Sequence, residues 1–297
     1  MLAPGQGSQT PGMLADWLEL PGAADRIERW SQISGLDLAA LGTTATAEEI
    51  TDTAVTQPLV VATTLLAFGE YAKRGLPTDA IVAGHSVGEI AAYAIAGVIS
   101  PDDAVRLAAV RGAEMAKACA VEPTGMAAVL GGDEAEVLAR LEALELIPAN
   151  RNAAGQIVAA GALAALEKLA EDPPAKARVR ALATAGAFHT HYMGSALDGY
   201  AAAAAEVSAT DPTTTLLSNV DGKPVTSGAD AMAKLVAQLT RPVRWDLCTE
   251  TMRDRGITAI VEFPPAGTLT GIAKRELRGV ATHAVKTPAD LDGLAEL

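Results

Sequence analysis

The sequence predicts an α/β protein with a large α/β core domain and a smaller subdomain inserted into it. A short apolar segment at residues 81–83 leads into the motif GHSVG at residues 84–88, and an alanine-rich helical pattern follows. Between residues 120 and 190 the pattern changes to short strands that alternate with two helices. A chain of 297 residues is long enough for one large domain with a smaller inserted one.

Helices dominate the predicted large domain, because alanine is abundant and apolar residues recur at helical spacing. Ser100 and Pro101 mark one helix start clearly, since serine is a preferred N-cap and proline a preferred first residue. The apolar start at residues 1–3 provides little of a first strand, so we expect a weakened edge of the core sheet. In chain order, the other predicted elements are helices at 11–41 and 58–74, a strand at 81–83, helices at 89–96, 101–119 and 193–207, a strand at 216–218, a helix at 229–239, a buried strand at 259–263 and a last helix at 269–277.

The inserted subdomain is predicted at residues 120–193, which leaves residues 1–119 and 194–297 for the large domain. Its elements follow the order strand, helix, strand, strand, helix, strand, which is typical of a ferredoxin-like fold. The predicted strands lie at 125–130, 146–152, 156–160 and 179–182, and the helices at 133–144 and 162–171.

The motif at residues 84–88 has the form G-x-S-x-G. Between a buried strand and a helix, this form is typical of the nucleophile turn of an α/β-hydrolase-like domain. The glycines leave room for a strained turn. Ser86 then projects its hydroxyl at a helix N-terminus, where backbone N–H groups can stabilise an oxyanion. The motif therefore predicts acyl transfer through an acyl-serine.

A serine nucleophile needs a base, and the chain has four histidines. His85 adjoins Ser86, and neighbouring side chains diverge in a tight turn, so we expect it to pack or anchor a loop. His283 lies in a late strand-like segment at residues 280–285. His189 and His191 lie where the small subdomain returns to the large one, and domain junctions favour clefts. Either of these two could be the base.

Arg111 lies in a predicted helix among apolar neighbours. An arginine on such a helix can hold a carboxylate through a bidentate pair. On the residues alone, a surface or structural ion pair is the favoured interpretation.

Composition excludes several classes of protein. The net charge of −13 argues against non-specific nucleic-acid binding. The sequence has no run of 18 or more apolar residues and no basic-then-apolar start, so neither a membrane span nor a secretory signal is expected. Cys119 and Cys248 lack metal-ligand spacing, which predicts no metal site and reduced cysteines in a cytoplasmic protein.

The chain resembles the malonyl-CoA:acyl carrier protein transacylases through a series of motifs from end to end. The combination is far more specific than any single motif. The matching motifs are PGQGSQ at 4–9, TQP at 56–58, GHSVGE at 84–89, RG at 111–112, PAN at 148–150, GAFH at 186–189, SN at 218–219, PVRW at 242–245, LTG at 269–271 and KR at 274–275.

The resemblance implies roles for individual residues. It makes Ser86 the acylated nucleophile and His189 the base, and it assigns the free malonyl carboxylate to Arg111. Phe188 directly precedes the base. At this position, related polyketide acyltransferases that select malonyl have phenylalanine, and those that select methylmalonyl have serine. The remaining implied residues are Gln238, whose carbonyl orients the base, the backbone amides of Gln6 and Val87 as the oxyanion hole, and Gln57 and Met115 as pocket residues.

The implied activity is a ping-pong transfer of malonyl from malonyl-CoA to the phosphopantetheine thiol of acyl carrier protein. No cofactor and a monomer are implied. Carrier proteins are acidic, as this chain is, so docking needs a local basic patch. A discrete malonyl acyltransferase of a polyketide synthase, a serine thioesterase or esterase, and a non-catalytic scaffold are the alternatives. Candidate docking residues are Lys176, Arg178, Arg180, Lys274 and Arg275.

Overall fold

The structure is a computed structural model that describes residues 1–294. Within that range, no helix is long and apolar enough to cross a membrane. The strands of the described chain are β1 (Leu2–Ala3), β2 (Ala83–Gly84), β3 (Thr124–Gly131), β4 (Ile147–Ala153), β5 (Gln156–Ala162), β6 (Ala177–Ala181), β7 (Val243–Arg244), β8 (Ala259–Glu262) and β9 (Ala281–Ala284).

The helices surround two sheets, and the predicted α/β fold class is confirmed. Short 3-10 turns at Glu49–Thr51, His191–Ala196, Gln238–Thr240 and Pro288–Leu294 separate some of them. The α-helices are α1 (Ala15–Leu18), α2 (Ala23–Ser34), α3 (Leu38–Thr43), α4 (Thr53–Lys73), α5 (Gly88–Ile95), α6 (Pro101–Cys119), α7 (Glu134–Ala143), α8 (Leu163–Glu171), α9 (Leu197–Ala205), α10 (Gly228–Ala237), α11 (Trp245–Asp254) and α12 (Thr268–Glu276).

The larger domain is built on a parallel sheet in the order β2-β1-β8-β9. The expectation that the short first strand weakens an edge is wrong, because β1 pairs with β2 on one side and β8 on the other. Leu2 and Ala3 are buried. Two residues suffice there because both neighbouring strands satisfy their backbone groups. The strand therefore delivers the loop that follows it directly to the centre of the sheet.

The smaller sheet has the order β6-β3-β5-β4-β7. Its first four strands are antiparallel neighbours in the ferredoxin-like order that the sequence predicts. The fifth, β7, was not predicted and pairs parallel to β4 through Asn150 and Val243. Because β7 comes from the predicted large domain, the small sheet contains strands from both sides of the predicted boundary. The division of the chain at residues 120 and 193 stays a prediction.

Several predicted elements differ from the structure. The helix predicted over residues 11–41 is three helices, because Gly22 (φ 76°) and Gly35 (φ 71°) adopt left-handed conformations that flank α2. The strand predicted over 216–218 is reduced to two isolated bridges, a parallel one between Leu216 and Val82 and an antiparallel one between Leu217 and Pro224. Helix α11 was missed, although its buried residues Trp245, Cys248 and Met252 recur at helical spacing.

Candidate active site

The turn between β2 and α5 places Ser86 at the carboxyl end of the parallel sheet. Ser86 has a positive φ of 55°, the strained conformation expected for a nucleophile at such a turn. A Cβ at Gly84 would lie 2.0 Å from the Gly88 carbonyl oxygen, and one at Gly88 would lie 2.3 Å from the Ala3 carbonyl oxygen. Both glycines are therefore required by close backbone packing.

His189 is in direct contact with Ser86. The Oγ of Ser86 lies 2.7 Å from Nε2 of His189, and Nδ1 of His189 lies 2.8 Å from the main-chain oxygen of Gln238. A carbonyl oxygen can only accept, so Nδ1 carries the proton and donates. The other nitrogen, Nε2, is then free to accept the proton of the Ser86 hydroxyl. The structure thus separates His189 from His191, which the residues alone did not.

The other histidines lie elsewhere. His85 contacts Asn152 through Nε2 at 2.8 Å and packs edge-on against Trp245, which agrees with its expected loop-anchoring position. His191 is exposed and its ring lies 4.2 Å from the ring of Tyr192. His283 lies in β9, at the edge of the parallel sheet.

Burial keeps the imidazole of His189 neutral. Desolvation, together with the nearby charge of Arg111, lowers the pKa of His189 to about 3, and the hydrogen bond to Gln238 offsets only part of this. Neutral imidazole is the form that can accept a proton from serine. His189 is therefore held in the form that can accept a proton at neutral pH.

Arg111, on α6, is 1% exposed and lies close to this pair. Its guanidinium donates through Nη1 to Oε1 of Gln57 and through Nη2 to Oε1 of Gln238, both at 2.8 Å. Burial lowers the pKa of Arg111 to about 10, so it remains charged at pH 7. Within residues 1–294, Arg111 has no carboxylate within 4.0 Å, and its Nε has no hydrogen-bond partner. The structural ion pair favoured on the residues alone is therefore absent from the described part of the chain.

Val87 lies in the turn itself, and Gln6 lies in the loop that follows β1. Gly5 packs against His85 so closely that a Cβ would lie 2.6 Å from the His85 carbonyl oxygen, which brings Gln6 to the turn. The amide of Ser86 donates to Oδ1 of Asn219 at 2.8 Å and is already used. In the described chain, the amides of Gln6 and Val87 donate to no protein acceptor.

Asn219 and Glu89 also belong to this site, although the sequence motifs that contain them predicted no role for either residue. Asn219 accepts from the Ser86 amide and donates through Nδ2 to the Gly84 carbonyl oxygen at 2.7 Å, so it holds both ends of the turn. Glu89 is fully buried and accepts from the Asn219 amide and from Nε2 of Gln238. The position of Glu89 could have been recognised from the sequence, because a carboxylate directly after G-x-S-x-G falls in the first turn of a buried helix and there needs hydrogen-bond donors.

The remaining implied residues surround Arg111 and His189. Nε2 of Gln57 lies 3.5 Å from the sulfur of Met115, which is buried one helical turn beyond Arg111 on α6. Phe188 is buried in the main hydrophobic cluster, directly before His189.

The candidate docking residues are exposed. Two of them, Arg178 and Arg180 on β6, share one face of the small sheet. Gln156 stands opposite Leu130, and Leu130 stands opposite Arg178. Directly opposed residues of antiparallel strands share a face, so Gln156 and Arg178 flank Leu130. Arg275, on α12, donates to Oε1 of Gln156 at 2.5 Å and so reaches the same row.

The other three docking candidates lie nearby. Arg180 stands opposite Ala128 and, two residues from Arg178, points to the same face. Lys176 lies just before β6, and Lys274 precedes Arg275 on α12.

Comparison with known proteins identifies the family. The profile of the acyl transferase domain matches residues 2–290. The malonyl CoA-acyl carrier protein transacylase of Mycolicibacterium smegmatis is 80% identical over 290 residues, which are 96% of this chain and 100% of that protein. The chain belongs to this transacylase family. It is therefore an acyltransferase.

Solved structures of transacylases have the same fold. The crystal structure of the Mycobacterium tuberculosis enzyme superimposes with a TM-score of 0.97 at 75% identity and covers 99% of this chain and 98% of that one. A malonyl-transacylase solved in complex with its type II polyketide acyl-carrier protein superimposes with a TM-score of 0.94 at 31% identity, covering 100% and 98%. The family assignment made from the sequence motifs is confirmed.

Proposed function

We propose that this chain transfers a malonyl group from malonyl-CoA to the phosphopantetheine thiol of an acyl carrier protein, through a malonyl-serine on Ser86. The observation that carries the proposal is the state of Arg111. A buried guanidinium without a carboxylate partner is costly. A substrate that brings its own carboxylate next to Ser86 and His189 supplies the missing charge.

In the first half-reaction, Nε2 of His189 takes the hydroxyl proton of Ser86 as Oγ attacks the thioester carbonyl. The amides of Gln6 and Val87 donate to the oxyanion of the tetrahedral intermediate. The intermediate collapses, the carbon–sulfur bond breaks, and the departing CoA thiolate takes the proton from His189. Malonyl is left as an ester on Ser86, and His189 is neutral again.

The second half-reaction reverses these roles. His189 takes the proton of the phosphopantetheine thiol, and the sulfur attacks the malonyl-serine carbonyl. The same amides hold the oxyanion, the ester bond breaks, and Ser86 recovers its proton from His189. Atoms and protons balance with no cofactor. Throughout, Arg111 binds the distal carboxylate and so fixes the carbonyl against Ser86.

We place the carrier-protein docking surface on the face of the small sheet that carries Arg178 and Leu130. Arg275, on α12, reaches the same face through Gln156. On a chain of net charge −13, a row with two arginines and a half-exposed leucine between them complements an acidic partner. Lys176, Arg180 and Lys274 extend the same positive charge.

Charge reversal tests this docking surface. Arg178→Glu is expected to raise KM for the carrier protein several-fold while leaving acylation by malonyl-CoA unchanged. Lys168→Glu is the matched control, because Lys168 is exposed on α8, which packs against the opposite face of the sheet. Equal effects of the two variants would contradict the placement.

Intact-mass spectrometry after brief mixing with malonyl-CoA tests the reaction itself. We expect a malonyl adduct on the wild-type chain, none on Ser86→Ala, and loss of the adduct on addition of holo-carrier protein. Release of free malonate without an adduct would instead indicate a thioesterase. Comparing fatty-acid and polyketide carrier proteins as acceptors identifies the physiological partner. Free cysteines at 119 and 248 fit the cytoplasmic location, which stays a prediction.

A further inference from the structure

We propose that Glu89 is a positioning residue for malonyl selectivity: it fixes the side-chain amide of Gln238 so that the amide oxygen faces Arg111. Glu89 is fully buried in the first turn of α5, three residues after Ser86. Its Oε2 accepts from Nε2 of Gln238 at 2.5 Å, and its Oε1 accepts from the Asn219 amide at 2.7 Å. The proposed transfer reaction gives Glu89 no role.

The neighbours of Gln238 determine which way its amide points. On one side lie the Glu89 carboxylate, the Ser86 carbonyl oxygen at 3.2 Å and Oδ1 of Asn219 at 3.3 Å, which are all acceptors. On the other side lies Nη2 of Arg111, which is a donor. The NH₂ group must face the acceptors and the oxygen must face Arg111. Burial raises the pKa of Glu89 to about 7, but its Oε2 still makes the shortest of the three contacts to Nε2 of Gln238, so it provides most of the preference.

Gln238 works as a neutral spacer between Glu89 and Arg111. Glu89 and Arg111 have no direct ion pair within 4.0 Å in the described chain, and the amide dipole of Gln238 lies between them. A carboxylate bound directly to Arg111 would occupy the guanidinium that the substrate needs. The contacts from Glu89 through Gln238 orient Arg111 and leave its remaining N–H groups available to a substrate carboxylate.

The second oxygen of Glu89 supports the nucleophile. Through the Asn219 amide, Glu89 holds the residue whose side chain bonds both the Ser86 amide and the Gly84 carbonyl. One buried carboxylate therefore links the serine turn to the carboxylate-binding arginine. This inference rests on the role proposed above for Arg111.

The experiment compares kcat/KM for malonyl-CoA and acetyl-CoA in wild type, Glu89→Gln and Arg111→Ala. Glu89→Gln keeps the shape but has one acceptor oxygen for two donors, the Asn219 amide and Nε2 of Gln238. When that oxygen accepts from the fixed backbone amide, Gln238 faces an NH₂ group and its side-chain oxygen is no longer held against Arg111. We expect the malonyl-to-acetyl ratio to fall about tenfold or more, since Arg111 loses one of the two hydrogen bonds that orient its charged group. An unchanged ratio, or an equal fall for both substrates, overturns the inference.

A further variant, Glu262→Gln, separates this role from a purely structural one. Glu262 is also fully buried and accepts from the amides of Gly267, Leu269 and Thr270, so Glu262→Gln removes a comparable buried carboxylate away from Arg111. We expect it to lower Tm without changing the ratio. If Arg111→Ala leaves the malonyl-to-acetyl ratio unchanged, the role proposed for Arg111 is wrong. If Arg111→Ala lowers the ratio but Glu89→Gln does not, only the role proposed for Glu89 is wrong.

The exchange Glu89→Gln with Gln238→Glu keeps the proposal testable if the single variant does not fold. In the exchanged pair, Gln at 89 donates to Glu at 238, whose other oxygen accepts from Arg111. We expect the exchanged protein to fold, and to have a higher Tm than Glu89→Gln where that variant folds. Its malonyl-to-acetyl ratio should be low, because Arg111 is now bound to a carboxylate. A double variant no more stable than Glu89→Gln, or one with the wild-type ratio, overturns the proposal.

Discussion

Gln238 orients His189 through its main-chain oxygen, 2.8 Å from Nδ1, and not through its side chain. The side-chain oxygen of the same residue accepts from Arg111 at 2.8 Å. One residue thus fixes His189 and Arg111 through two different carbonyl groups. Because only the second depends on the residue type, substitution can separate the two functions.

Gln238→Met is expected to lower kcat/KM for malonyl-CoA by about 10-fold to 100-fold, since a hydrogen bond to a charged group contributes about 1.5–3 kcal/mol. The fall for acetyl-CoA should be much smaller, because the main-chain contact to His189 remains. Gln57→Met is the matched comparison, since Gln57 holds Arg111 and has no contact with His189. Stopped-flow acylation with both thioesters measures this. Equal losses for the two substrates in Gln238→Met would contradict the separation.

Protonation of His189 should make stability depend on pH. Its pKa falls from 6.5 to about 3 on folding, so the unfolded chain binds the proton more readily between these values. Stability is therefore lost as pH decreases below 6.5, by about 1.4 kcal/mol per pH unit, or about 2 kcal/mol by pH 5. Denaturant titrations at pH 6.5 and pH 5 measure the decrease in the free energy of unfolding between the two pH values. In His189→Gln this decrease should be smaller than in the wild type by about that amount, whereas Ser86→Ala should show the wild-type decrease. The same loss in all three proteins would rule this out.

Gly88→Ala is expected to destabilise the fold by about 3 kcal/mol or more and to abolish acylation. Its Cβ would lie 2.3 Å from the Ala3 oxygen and 2.5 Å from the Pro4 oxygen, and neither backbone group can move without disturbing β1. Gly271→Ala, also in a helix, has no atom within 4 Å of the new Cβ and should be neutral or stabilising by up to about 1 kcal/mol. Thermal unfolding of the two variants measures the difference. Similar Tm values would contradict it.

Phe188 should restrict branched acyl groups through its volume. It is buried directly before His189, and a smaller side chain leaves room beside the α-carbon of the substrate. We expect Phe188→Ser to raise the methylmalonyl-to-malonyl ratio of kcat/KM about tenfold, since one methyl group is worth about 1–3 kcal/mol in such a pocket. Phe188→Leu should give an intermediate ratio. A ratio that does not follow side-chain volume would exclude steric selection here.

The sequence alone determined the features that depend on local geometry. The strand, the tight turn with Ser86 and the following helix were predicted because G-x-S-x-G specifies backbone conformations over five residues. The four antiparallel strands of the small sheet were predicted for the same reason, since alternation and turn residues act over short distances. The breaks at Gly22 and Gly35 could also have been found, because glycine commonly ends helices.

Only the tertiary structure decided which side chains meet. His189 rather than His191 faces Ser86, Arg111 has two amide oxygens instead of an ion pair, and β1 lies inside the sheet and not at its edge. Arg111 and Gln238 are 127 positions apart, and Glu89 and Asn219 are 130 apart. No local pattern encodes such pairs, because burial and hydrogen bonding between distant segments are set by how the sheets and helices pack.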